Sequence, residues 1–246
     1  MRKLLPLAVV LASTLAPVAQ AEYKFGWGNV HYDYQYWNQG AEDIDFKQAL
    51  IGIEGGATFS WGQVYGFYDY EGIDKDSGEQ GQTMNGEMHV YLGDTGASLF
   101  LKAYSSQSPH IKEINQFIGA GYTDLKGDGW WFTPWIGRQY INMRNDFGPN
   151  TDINGRNGFS IGWNAGYAFE AFGESFLLTN WHETELDRND KYAENNGGST
   201  GVNGGLNLTW NMTDEISTTV MYRYFYNKLG NDDYGDILIY RIAYNF

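Results

Sequence analysis

The sequence predicts an all-β chain: a transmembrane, antiparallel, up-and-down β-barrel of about twelve strands. Three observations carry this. From Glu22 onward, stretches of about ten alternating residues are separated by turn chemistry. No apolar run in that part of the chain approaches the roughly 20 residues a spanning helix needs. The connections alternate between long and short, which a soluble sandwich has no reason to do.

At the amino end, Arg2 and Lys3 precede a mostly apolar stretch from Leu4 to Pro17, and Ala19-Gln20-Ala21 offers a small-residue cleavage site. This reads as a secretory signal peptide, residues 1–21, leaving one domain over residues 22–246.

The first predicted strand, Phe25–Trp37, puts Val30, Tyr32, Tyr34 and Tyr36 on one face and Asn29, His31, Asp33 and Gln35 on the other. The second, Phe46–Ala57, sends Ala49, Ile51 and Ile53 outward and Glu54 inward. The third, Gly62–Glu71, sets Val64, Tyr68 and Tyr70 against Tyr65, Phe67 and Asp69. Met84–Leu92 sets Met84, Met88 and Val90 against Asn85, Glu87, His89 and Tyr91. Ala97–Ser105 sets Leu99 and Leu101 against Ser98 and Lys102.

The second half continues with Ile114–Thr123 and with Trp130–Asn142, where Arg138 is expected to point inward. Gly158–Phe169 places Phe159, Ile161, Trp163 and Tyr167 opposite Ser160 and Asn164. In Ser175–Thr184, Leu177, Thr179 and Trp181 are expected outward, with Asn180 and His182 inward. Val202–Trp210 and Glu215–Tyr226 follow, the latter with Arg223 inward. The last strand, Tyr234–Phe246, alternates Leu238, Tyr240, Ile242, Tyr244 and Phe246 with Arg241 and Asn245.

With the amino end on the periplasmic side, the even connections (Phe59–Trp61, Gly93–Gly96, Asp124–Gly129, Glu170–Glu174, Asn211–Asp214) are periplasmic and short. The long ones, Gly72–Thr83, Met143–Asn157 and Glu185–Gly201, are all odd and external. Trp37, Trp61, Trp130, Trp131, Trp210 and Tyr226, near strand ends, suit interfacial girdles.

Composition narrows the function. A formal charge of -14 argues against a nucleic-acid partner, and the absence of cysteine removes disulfides, thiol catalysis and thiolate metal sites. The inward set mixes carboxylates (Asp33, Glu54, Asp69, Glu87), cations (Lys102, Arg138, Arg223, Arg241), the amide of Asn180 and the ring of Tyr65. Each confined charge needs a partner, so pairing across the lumen is the plain structural reading. As a set, rings beside charges and amides suit a polar, flat-ringed solute.

Ile53-Glu54-Gly55, Trp61 and Tyr65-Gly66-Phe67-Tyr68-Asp69 resemble a hairpin of the nucleoside-specific channel-forming (Tsx-like) outer-membrane family. Gly119 to Asp124, Thr179-Asn180-Trp181, Arg223-Tyr224 and Tyr244-Asn245-Phe246 extend the resemblance over most of residues 22–246, although the loops show no likeness. It implies a twelve-stranded barrel in the bacterial outer membrane whose narrow lumen passes nucleosides, with Glu54, Asp69 and Arg223 in the lumen. It also implies contact with outer-membrane lipid and lipopolysaccharide, and recognition of the Phe246 strand by the barrel assembly machinery. A phage or bacteriocin receptor, or a general small pore, stays open beside that reading.

No catalytic residue and no cofactor is expected. His31 and Asp33 share a face, yet no serine at matching height completes them, and His182 and Glu183 point to opposite faces of their strand. The acids of the external connections (Asp74, Asp76, Glu79; Asp187, Asp190, Glu194) lack the spacing of a calcium loop and are read as solvated surface, with no metal.

Overall fold

The structure, a computed structural model, describes residues 21–39, 46–145 and 152–246. Residues 1–20 of the predicted signal peptide, and residues 40–45 and 146–151 of two predicted external connections, lie outside the described residues. The strands are β1 (Tyr23–Gln39), β2 (Phe46–Phe59), β3 (Gly62–Glu71), β4 (Gly81–Tyr91), β5 (Ala97–Gln107) and β6 (Ile111–Tyr122). A short β7 (Leu125–Gly127) precedes β8 (Trp130–Asn145), β9 (Ile153–Ala171) and β10 (Glu174–Leu186). One helix, α1 (Asp190–Asn195), separates β10 from β11 (Gly201–Asn211), which is followed by β12 (Ile216–Tyr226) and β13 (Tyr234–Asn245).

Each strand pairs antiparallel with its neighbours; β6 pairs onward with β8, and β1 with β13. Twelve strands therefore close into a ring, with β7 a small extra strand on β8. Closure leaves no open edge among them, as hydrocarbon requires of a sheet.

The surface is inverted relative to a soluble protein. Ile51 is 53% exposed and Ile242 54%, whereas Asp33 is 2% exposed and His31 3%. Apolar side chains out and polar side chains in is what a barrel in lipid demands. The turns at the end shared by both termini are short: Ser60-Trp61 joins β2 to β3, and Phe172-Gly173 joins β9 to β10. Gly93 and Gly96 bracket the β4–β5 turn with φ of 63° and 76°, a region open to glycine at no steric cost.

Several strands run further toward the end away from both termini than the apolar period predicts. β9 begins at Ile153 rather than Gly158, and β8 continues to Asn145. Their added outward-facing residues (Arg144, Asn154, Arg156) are polar, so a pattern search for lipid-facing residues stops short of them.

Three inward expectations, on two strands, are overturned by register. In β8, Thr133, Trp135, Gln139, Ile141 and Met143 are buried inside, so Arg138 shares the outward face with Ile136 and Tyr140. In β10, Glu183 and Glu185 are buried inside, which turns Leu177, Thr179 and Trp181 inward and Asn180 and His182 outward. A step of one residue exchanges the faces of a strand. In Thr179-Asn180-Trp181-His182 each parity holds one polar residue beside a neighbour of mixed character, so alternation alone does not choose.

Candidate functional site: the charged lumen

The lumen is organised by ion pairs. Arg241 of β13 stands opposite Asp33 of β1; its Nε and Nη2 donate to Asp33 Oδ1 and Oδ2 at 2.7 and 2.8 Å. Its Nη1 donates to Glu54 Oε1 of β2 at 2.8 Å. Glu54 also accepts from Asn29 Nδ2 at 3.1 Å and from the Tyr65 hydroxyl at 3.2 Å. His31 sits between Asn29 Oδ1 and Asp69 Oδ1, at 3.0 and 3.1 Å. Gly52 lies directly beneath that pair; a Cβ there would collide with both side chains.

A second cluster reaches across the lumen. Lys102 of β5 lies 3.2 Å from Glu87 of the adjacent β4 and 2.9 Å from Glu183 of β10. Glu87 also accepts from Asn85 of its own strand at 3.1 Å and from Asn164 of β9 at 3.3 Å. Lys102 Nζ lies over the rings of Phe117 and Trp135 at 5.4 and 5.5 Å, so aromatic faces and carboxylates hold one ammonium together. These contacts narrow the bore well below that of an empty twelve-stranded ring.

Arg223 differs from its fellow inward cations. Among the described residues it has no ion-pair partner, and its Nε donates to Asn203 Oδ1 at 3.2 Å. Its guanidinium lies 5.8 Å from the centre of the Trp181 ring. Trp181 in turn lies flat against β11, where Gly205 leaves room for the indole. A ring face and a guanidinium are thus presented together to the lumen.

The mouth at the end away from both termini is lined by α1. Tyr192, 2% exposed, packs with Ile141, Met143 and Ile153 of β8 and β9. Arg188 Nε donates to Glu185 Oε2 at 2.7 Å, Lys228 pairs with Glu185 Oε1, and Arg188 Nη1 donates to the Asn227 carbonyl at 2.6 Å. Burial, with Glu113 and Glu185 nearby, pushes the Tyr192 phenol well above its ordinary range.

Of the predicted lumen residues, Asp33, Glu54, Tyr65, Asp69, Glu87, Lys102, Arg223 and Arg241 lie on inward faces, and Arg138 and Asn180 do not. Asn180 instead accepts from Trp163 Nε1 at 2.7 Å on the outer wall, beside His182 stacked on Trp163 at 4.2 Å. Sequence reasoning missed Glu183 and Trp181 as lumen residues, because it set the parity of that strand from its apolar members.

A closed twelve-stranded barrel, apolar outside and crossed inside by paired charges, defines a narrow channel of the bacterial outer membrane. Residues 22–246 match the family described as nucleoside-specific channel-forming protein, Tsx, and the chain belongs to that family. It is therefore a substrate-selective channel rather than an enzyme. Among solved structures it is similar to the NanC porin in its rhombohedral crystal form, with a TM-score of 0.53 at 9% identity, covering 87% of this chain and 98% of that one. The KdgM porin in complex with disordered oligogalacturonate gives a TM-score of 0.48 at 9% identity, covering 89% and 98%.

Proposed function

We propose that the channel passes nucleosides, and that the Trp181–Arg223 pair is where the base is held in transit. The observation that carries this reading is Arg223, an inward cation that forms no ion pair with a described residue. Asp33, Glu54, Glu87, Lys102 and Arg241 are consumed by one another, whereas Arg223 offers its donors beside an aromatic face. A nucleobase stacks on such a face, and its ring nitrogens and exocyclic carbonyl oxygens accept from the guanidinium. Tyr65 and the amides of Asn85 and Asn203 supply hydrogen bonds for ribose hydroxyls. The site is weak by necessity, because conduction needs binding that permits exit. Millimolar affinity, about -4 kcal/mol, is the appropriate scale. On the same reading Met1–Ala21 is a cleaved signal peptide, and Phe246 is what the assembly machinery engages.

The test is solute flux through purified protein in lipid vesicles. Adenosine should pass faster than a disaccharide, and Trp181→Leu should reduce that preference while leaving small-ion conductance nearly intact. Equal rates for adenosine and the disaccharide in the unmodified protein would leave a general small pore.

A further inference from the structure

We infer that the outer wall of β5, β6, β8 and β9 carries a docking site for the phosphates of lipopolysaccharide, formed by Lys112, Arg138, Arg144 and Arg156. All four side chains are exposed on outward faces. In a chain of formal charge -14, the outward faces of these four strands hold these four cations and no carboxylate. None of the four forms an ion pair with a described residue.

Lys112 stands directly opposite Arg144 in the β6–β8 ladder. Like charges so placed repel each other, and an anion between them removes the repulsion. Arg156 is paired across from Tyr140, and Arg138 from Ile118 and Phe159. Around Lys112 and Arg144 the outer wall forms an open depression of about 550 Å³, lined also by Gln107, Glu113, Ile114, Gln116, Tyr140 and Asn142, with the Glu113 carboxylate itself turned inward to Asn115 and Tyr192. Apart from Ile114 its outward side chains are polar or carry a phenol, where the same strands lower down show Leu99, Ile118, Ile136 and Ile161.

Depth identifies the occupant. Trp130 starts β8 at the periplasmic girdle, and Arg138 lies about 27 Å along the strand at ~3.4 Å per residue. At a tilt of roughly 40° this is about 21 Å of height, against an apolar band ~25 Å tall. Arg138 therefore sits at the upper edge of the hydrocarbon, its guanidinium free to rise toward the headgroups. Arg144, by the same rise and tilt, stands about 16 Å higher. A phospholipid bears one phosphate close to its acyl boundary, which serves Arg138 but not the Lys112–Arg144 pair. A glycolipid with phosphates on its acylated sugars and on the sugars above them reaches both levels.

The experiment uses the full barrel in detergent micelles and native mass spectrometry. Probes are rough lipopolysaccharide with phosphorylated inner-core sugars, the same lipid dephosphorylated, and phosphatidylglycerol. Expected is retention of the phosphorylated glycolipid at least tenfold stronger than of the other two, falling steeply with salt. Lys112→Gln with Arg144→Gln should abolish most of that preference without altering heat-modifiable gel mobility or solute flux. Arg138→Gln should weaken all phosphate-bearing lipids alike. Equal retention of the three lipids by the unmodified protein, a measurement that needs no variant, would overturn the proposal. So would unchanged preference in the double variant, or self-association that buries this wall against a second copy.

Discussion

Asp33 and Arg241 are separated by 208 positions in the chain and face each other across the seam where its first and last strands meet, joined by two hydrogen bonds of 2.7 and 2.8 Å. Arg241 also holds Glu54, so one guanidinium bridges two carboxylates at the closure point. Arg241→Met should strand both carboxylates and cost about 3–5 kcal/mol, the usual scale for breaking a buried pair. Adding Asp33→Asn and Glu54→Gln should recover a large part of it. Urea unfolding in vesicles, followed by gel mobility, measures both; a single variant as stable as the parent would mean the seam does not depend on this cluster.

The terminal residue completes the same seam. Phe246 N donates to the Gly28 carbonyl at 2.9 Å, Gly28 N donates to the Phe246 carbonyl at 3.2 Å, and the Phe246 ring covers Gly28. Deleting Phe246, or replacing it with Asp, should lower outer-membrane levels severalfold with degradation in the periplasm. Normal levels and normal heat-modifiable mobility would show that closure tolerates its loss.

Orientation follows from the short turns lying at the end of both termini. The chain has no cysteine, so single cysteines report cleanly. Glu194→Cys, exposed on α1, should react with an impermeant maleimide in intact cells, whereas Thr213→Cys in the β11–β12 turn should not. The reverse pattern would invert the barrel.

Most of the architecture is legible in the sequence because a lipid-facing strand leaves a period of two with an apolar side. β1, β3 and β13 show it without ambiguity: Val30, Tyr32 and Tyr36 outside, Asn29, His31 and Asp33 inside. The period fails where both faces carry similar chemistry. β10 offers Trp181 and His182 at adjacent positions, and what fixes their faces is Lys102, on a strand far away in sequence. Arg138 misleads for another reason. A charge in a spanning strand is normally assigned to the lumen, but at the upper edge of the apolar band that rule loses force.

The Lys102 bridge makes an electrical prediction. Lys102→Met removes the positive charge between Glu87 and Glu183, leaving two carboxylates facing the bore. Cation selectivity should rise, with conductance increased about twofold or more; reversal potentials in planar bilayers under a salt gradient report it. Unchanged selectivity would place the ion path away from this cluster.

Tyr192 anchors α1 against the wall of the mouth. Tyr192→Ser should free the helix, raise single-channel noise and admit larger solutes, while leaving the seam intact. Vesicle swelling with sugars of graded size measures the change; an unaltered size cut-off would assign the gauge wholly to the deeper ion pairs.

Lys102 and Glu183 are joined inside the lumen, over the rings of Phe117 and Trp135, and not along a sheet, and this has a mechanical meaning. A hoop of strands ovalises easily under lateral pressure; a chord tied between β5 and β10, with β6, β8 and β9 between them, resists that bending. The calibre of the hole is then set by the length of two side chains and not by how many staves the cask has. Strand number stays fixed while a pair of substitutions re-gauges the opening, which gives such a barrel a cheap route to new cargo.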